Sequence, residues 1–328
     1  MQILIRTDIG GEHGMGHASR CLTLAKVLRE RGAEVLFTTT TPKLESYVQP
    51  FPYHLQGTMI FPEPFWNATH IIDTKADDWP TENKFLALLK RKYGKSIVRI
   101  DHPHATPESC DLLIGPCAHW ESRVVSKLQR EFGARFLYGW PYVILDPSIT
   151  EQSVIPYAER KNGPIVFCAG GSDPSGALQK MYDMTQTWET SHACVFLYGQ
   201  YSQEPSMGKT SRPHVTTCRV FDRRWLRVAS LVVTMFGQTV YECLYYNTPV
   251  LALGHTDENV EAACRLQLQA PRNVLHGGDV RKFTKDIFID SMHCALSWFD
   301  NRNALNKLDI DDKGASRIAD AILALASS

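Results

Sequence analysis

Apolar residues along this chain recur as short β-branched runs, each followed by an amphipathic stretch at helical spacing. The first half predicts strands over residues 2–6, 34–38, 70–73 and 96–101, with helices over 18–31 and 81–93. Strands of this kind in alternation with helices belong to a parallel sheet covered on both faces. The rhythm restarts at Gly163, with strands expected over 164–169, 193–198, 231–234 and 249–253 and helices over 177–188, 238–246 and 258–268. Residues 139–162 carry Pro141, Pro147 and Pro156 among polar positions and read as a linker. Two doubly wound Rossmann-like domains are therefore expected, residues 1–145 and 146–328, facing across a cleft into which the strand ends open. The last helix, over 314–325, is a candidate to pack back on the first domain.

A length of 328 residues suits two domains, each with its own core. Thirty-five basic and thirty-five acidic residues cancel, which removes the electrostatic case for a nucleic-acid partner or an anionic membrane surface. No window approaches the roughly 18 apolar residues of a spanning helix, and the start MQILIRTD lacks the pattern of a secretory leader. A cytoplasmic protein with small-molecule partners is expected. Nine cysteines are scattered without a CxxC pair, the usage of reduced, buried thiols rather than of a disulfide framework or structural zinc.

Three glycine-bearing strand-to-helix turns carry the candidate chemistry. In the first, Gly14 and Gly16 let the backbone approach a ligand while the helix start offers free N–H groups, an arrangement suited to a phosphorylated substrate. His17 stands at that mouth, where an imidazole can act as general base near neutral pH. His13 lies four residues earlier, but Gly14 and Gly16 argue against a helical two-histidine metal face. The second turn, CAGGSDPSG from 168 to 176, places Gly170, Gly171 and Ser172 where they can hold phosphate oxygens, with Asp173 or Ser175 as the helix cap. In the third, Gly237, Gln238 and Thr239 can meet a diphosphate. Glu242 can then accept from a ribose diol, or serve only as an acid favoured by the helix dipole. Asp8, Asp73 and Asp101 are the candidate carboxylate partners of His17, and His102 with His104 has the spacing of an HxH metal pair, which is left unassigned. The cluster of Phe221, Arg223, Arg224 and Trp225 reads as a solvated helix start anchored by Trp225, with nucleotide stacking or pairing as the alternative.

Taken in order, GMGHASRCLTLA, FCAGGSDPSG and GQTVYECLYYNTPVL resemble the nucleotide-sugar enzymes of the two-Rossmann GT-B fold. The nearest resemblance is to the UDP-sugar hydrolase family of pseudaminic acid biosynthesis, related to the glycosyltransferase that adds N-acetylglucosamine to lipid II precursors. It runs from residue 2 to about residue 266. Arg6 and Asp8 match the opening strand, and Gly16, His17 and Arg20 match a GHxxR element; Cys110, Asp111, Tyr138 and Gly139 match weaker landmarks. The resemblance implies that the second domain binds UDP, with Gly171, Ser172, Gln238 and Thr239 on the diphosphate and Asn259 on the sugar side, and that His17 acts from the first domain without metal or cofactor. The implied reaction is cleavage at the anomeric carbon, with His17 taking a proton from water; in a transferase the same histidine would deprotonate an acceptor hydroxyl. A nucleotide-sugar-binding protein without turnover is the third reading. Three positions depart from the hydrolase pattern: Asp73 is followed by Thr74 and Lys75 rather than by His and Tyr, Asn259 by Val260 rather than Gln, and Leu145 by Asp146 rather than Arg.

Overall fold

The computed structural model describes residues 1–10, 14–55, 67–75, 78–94, 96–206, 215–218, 221–300 and 305–326. His13 lies outside the described residues. The chain folds as two compact units, Met1–Pro147 with Ile310–Ser328, and Ser148–Asp309.

The first unit runs β1 (Gln2–Thr7), α1 (Gly16–Glu30), β2 (Glu34–Thr39), α2 (Leu44–Val48), β3 (Tyr53–Leu55), β4 (Thr69–Asp73), α3 (Trp79–Tyr93), β5 (Ile97–Ile100), β6 (Leu112–Gly115), α4 (Ser122–Phe132) and β7 (Phe136–Tyr138). Its strands form one parallel sheet in the order β3-β2-β1-β4-β5-β6-β7. Ile3, Leu4 and Ile5 are fully buried because β1 is central and covered on both faces. Helix α1 buries Ala18, Cys21, Leu24, Ala25 and Leu28, one face at helical spacing. Helix α3 begins at Trp79 rather than at 81, because Asp78 caps it by accepting from the Thr81 N–H at 3.2 Å and Pro80 fits the first turn.

After α5 (Pro147–Thr150) and α6 (Tyr157–Arg160), the second unit repeats the scheme: β8 (Ile165–Cys168), α7 (Ala177–Thr185), β9 (Cys194–Leu197), β10 (Val215–Cys218), α8 (Arg224–Val228), β11 (Leu231–Met235), α9 (Gln238–Tyr245), β12 (Val250–Gly254), α10 (Asp257–Gln269), β13 (Val274–Asp279) and α11 (Lys285–Asp300). Its parallel sheet has the order β10-β9-β8-β11-β12-β13. Phe167 and Phe196 stack at 4.7 Å in a core that also buries Tyr182, Trp188 and Phe288. The last helix, α12 (Gly314–Ala326), returns to the first unit, where Arg31 after α1 donates to the Ser316 carbonyl at 3.0 Å and to Asp320 at 2.5 Å.

Residues 139–162 are not the free linker their prolines suggest. Val143, Ile144, Leu145 and Ile149 are buried, and the division between units falls inside the stretch. Prolines are spent in short helical turns at Trp140–Tyr142 and Pro147–Thr150, where a fixed φ is an asset. Arg160 is only 4% exposed. Its guanidinium donates to the carbonyls of Ile155, Ala229, Tyr246 and Asn247 and to the Thr248 hydroxyl. Burial pulls it down to about 10, which still leaves it charged at neutral pH.

Candidate functional site

In each sheet the strand order reverses once, between β1 and β4 and between β8 and β11. Doubly wound sheets bind ligands outside the strand carboxyl ends at such points. All three glycine turns emerge there: the turn with Gly14 and Gly16 follows β1, that with Gly170 and Gly171 follows β8, and that with Gly237 follows β11.

At the first switch point, Gly16 and His17 open α1, which no side chain caps. Gly14 has a φ of +68°, a conformation that glycine takes without strain. Asp73 ends β4, in register with Thr7 of β1. His17 Nδ1 lies 2.6 Å from Asp73 Oδ1. Arg20, one turn along α1, donates to both Asp73 oxygens at 2.6 Å and reaches Asp101 Oδ2 at 2.8 Å. Burial alone would raise the Asp73 carboxyl, but Arg20 and His17 outweigh it and hold it well below the usual carboxylate range. A carboxylate so held only accepts, so Nδ1 carries the proton and the 2.9 Å approach of Arg20 Nη2 to Nδ1 is a packing contact. Nε2 is thereby the basic nitrogen of a ring whose side chain is 25% exposed.

Asp8 and Asp101 take other places. Asp8 Oδ1 accepts from the Thr39 hydroxyl at 2.8 Å and from the N–H and hydroxyl of Thr40 at 2.8 and 2.9 Å, and Oδ2 accepts from Arg6 at 3.1 Å. Burial raises its pKa, but Arg6 and the threonine bonds more than offset that. It fastens the end of β2 to β1. Asp101 follows β5 and is shared between Arg20 and the Trp120 indole, 3.3 Å away.

His102 and His104 are not a metal pair. His102 Nε2 lies 3.0 Å from buried Glu82, which also holds Arg99, and the Trp79 ring packs edge-on against both histidines. Burial pushes His102 down to about 4 from 6.5. The folded state thus resists a proton the unfolded chain accepts, so this contribution is complete above pH 6.5 and is lost as pH falls toward 4. The first unit should lose up to about 3 kcal/mol over that window. Denaturant titrations of wild type and His102→Gln at the two ends of the window check this: a drop of equal size in the variant would assign the loss elsewhere.

In the second unit, Gly170 has a φ of +81° and Gly171 is braced by the next turn of the sheet. The Tyr201 N–H donates to the Gly171 carbonyl at 3.1 Å, and a Cβ on Gly199 would come within 2.6 Å of the Gly171 Cα. Gly199 is thus a site-supporting residue that its local sequence does not announce. Gly176 holds the N-cap position of α7, and Asp173, three residues earlier, accepts from the N–H groups of Ala177 and Leu178 at 2.8 and 3.0 Å. Ser172 sits between these, half-buried. Gly237 precedes α9, whose first turn presents Gln238 and Thr239 and whose Glu242 is 3% exposed. Arg223 donates to Glu242 at 3.2 Å, which ties the arginine cluster to this helix. The buried anchor of α8 is Leu226, with Trp225 only half-buried. Asn259 closes the start of α10: its N–H donates to the Thr256 hydroxyl at 3.2 Å, and that hydroxyl lies 3.1 Å from Asn259 Oδ1.

Of the eight cysteines whose side chains are described six are buried, and none of the eight is in a disulfide. No described helix is long and apolar enough to cross a membrane.

Two parallel-sheet units of this topology define the GT-B fold. In that fold the chain is similar to the calicheamicin glycosyltransferase CalG4 (TM-score 0.64, 14% identity, 99% of this chain and 98% of that one). It is also similar to MnaA of S. aureus, solved with UDP (0.59, 13%, 100% and 98%), and to MurG of Acinetobacter baumannii (0.52, 12%, 99% and 100%). No family model matches the chain. An uncharacterized protein of Methanocaldococcus jannaschii is 22% identical over 269 residues, 77% of this chain and 55% of that protein, so the chain spans about half the length of that relative.

Proposed function

We propose that the chain is an enzyme that cleaves a nucleotide sugar, a UDP-sugar foremost, at the anomeric carbon, with His17 as general base and water as acceptor. The observation that carries this is the bond from His17 Nδ1 to buried, ionised Asp73 at the first switch point. It fixes the tautomer and orientation of the ring and stabilises the imidazolium once formed, which is what a general base needs. Nε2 takes a proton from water, the water oxygen bonds to the anomeric carbon, and the bond from that carbon to the diphosphate oxygen breaks with its electron pair leaving on the nucleoside diphosphate.

The second unit is assigned the nucleotide. N–H groups at Gly171, Ser172, Gln238 and Thr239 suit the charge that grows on the departing diphosphate, and donors so placed are worth about 3–4 kcal/mol each in comparable sites. Glu242 is assigned the ribose diol, with Arg223 holding its carboxylate, and Asn259 the sugar side. Glu242→Ala should therefore weaken UDP binding by about tenfold or more while slowing bound substrate much less, as read by calorimetry and single-turnover kinetics. Unchanged affinity with slowed turnover would move Glu242 out of the ribose role.

Glycosyl transfer is the second reading, favoured by Thr74 and Lys75 after Asp73 and by the fold shared with CalG4. His17 would then deprotonate an acceptor hydroxyl. The test is incubation with UDP-, CMP-, GDP- and TDP-sugars without acceptor, read by mass spectrometry. Equimolar nucleoside diphosphate and free sugar support hydrolysis and name the donor; binding without release points to transfer.

A further inference from the structure

We propose that Asp101, Cys117 and His119 form a binding site for a zinc-like divalent cation on the first unit. One carboxylate oxygen, one thiol sulfur and one imidazole nitrogen, contributed by these three residues, all lie within 4.8 Å of one another. The fold brings them together from neighbouring strand ends. Asp101 follows β5 and its N–H donates to the Ile114 carbonyl of β6 at 2.8 Å. Cys117 follows β6 in a tight turn, its N–H donating to the Gly115 carbonyl at 2.8 Å. Sheet hydrogen bonds thus set the spacing of the donors before any ion arrives, which removes much of the ordering cost of binding.

The chemistry of the set selects the ion. A thiolate with an imidazole favours zinc and its neighbours over magnesium or calcium, which prefer oxygen ligands alone. Three protein ligands leave a fourth tetrahedral position for water or an added ligand. Cys117 is buried, whereas Asp101 and His119 are partly exposed and give the ion its approach. The Trp120 indole N–H, 3.3 Å from Asp101 Oδ1, is the outer partner that orients the carboxylate.

Charge points the same way. Arg20 supplies one full positive charge against the carboxylates of Asp73 and Asp101, with His17 on Asp73 and His119 near Asp101 as further partners. A divalent cation that releases the Cys117 thiol proton to solvent adds a net single positive charge beside the two carboxylates. Occupation would also divide Asp101 between the metal and Arg20.

The experiment is titration of the full, reduced, chelator-treated chain with Co²⁺ alone, reading the sulfur-to-cobalt charge-transfer band and the visible d–d bands. One equivalent of cobalt should produce both, and Zn²⁺ should abolish both by displacement. Cys117→Ser should lose the charge-transfer band. His119→Gln should weaken binding by at least the roughly 10–100-fold typical of losing an outer partner. The exposed thiols are controlled by a Cys264→Ser, Cys294→Ser double variant, which should keep the bands. Absence of a charge-transfer band in the wild-type chain, or its survival in Cys117→Ser, overturns the proposal. Far-ultraviolet circular dichroism of each variant separates loss of the site from loss of the fold.

Discussion

Replacing His17 with alanine should lower turnover by about 10²–10⁴-fold, the usual contribution of a positioned general base, while UDP binding stays near the wild-type value. The division follows from where the groups reside. His17 and Asp73 belong to the first unit, and the loops assigned to the diphosphate belong to the second. The substitution also leaves the Arg20 pair with Asp73 in place, so the buried carboxylate keeps its main counter-charge and the first unit should remain folded. Turnover and calorimetric affinity measured on the same preparation decide it. Wild-type turnover in His17→Ala would remove the histidine from the chemistry, and joint loss of turnover and nucleotide affinity would mean that it binds rather than reacts.

A second large effect is expected at Arg160, which is assigned no part in the chemistry. Arg160→Leu would remove the donor to four carbonyls and one hydroxyl, and each buried acceptor left without a partner costs about 1–3 kcal/mol. Relief from desolvating the guanidinium offsets part of this. We expect a net loss of about 3–5 kcal/mol, because several buried acceptors lose their partner at once. Tyr246 and Asn247 lie just beyond the C-terminus of α9, where a cation also complements the helix dipole. Denaturant unfolding of the second unit should therefore show an earlier midpoint, and Arg160→Lys should recover only part of it, since an ammonium lacks the fork that reaches several acceptors at once. An unchanged midpoint would mean that the carbonyls find solvent at no cost.

The parts of this fold legible in the sequence are those where two signals coincide. At His17, Gly170 and Gly237 a β-branched run gives way to helical spacing at a glycine, and all three turns lie at switch points. Elements carrying only one signal were hidden. Strand β13 contains Gly277 and Gly278 and reads locally as a turn; α4 is amphipathic but buries only Leu128 and Phe132 and has no side-chain cap to mark its start. The choice of Asp73 over Asp8 and Asp101 as partner of His17 was likewise out of reach. It depends on the parallel register of β1 with β4, which brings together residues 56 apart in the chain. Arg160 was masked by its surroundings, since a short proline-rich stretch looks like a linker whether or not its arginine is buried.

Helix α12 gives the chain an unusual order of assembly. The second unit is one continuous segment, whereas the first is completed only by residues from Ile310 onward, with α12 held against the end of α1 by Arg31. On the ribosome, where segments ordinarily fold in the order they emerge, the unit synthesised first has to wait for α12 to leave the exit tunnel. Limited proteolysis of a free chain truncated after Asp309 should find the second unit protected and the first still cleavable. Until α12 emerges, the sheet bearing His17 is a nascent fold without its closing piece.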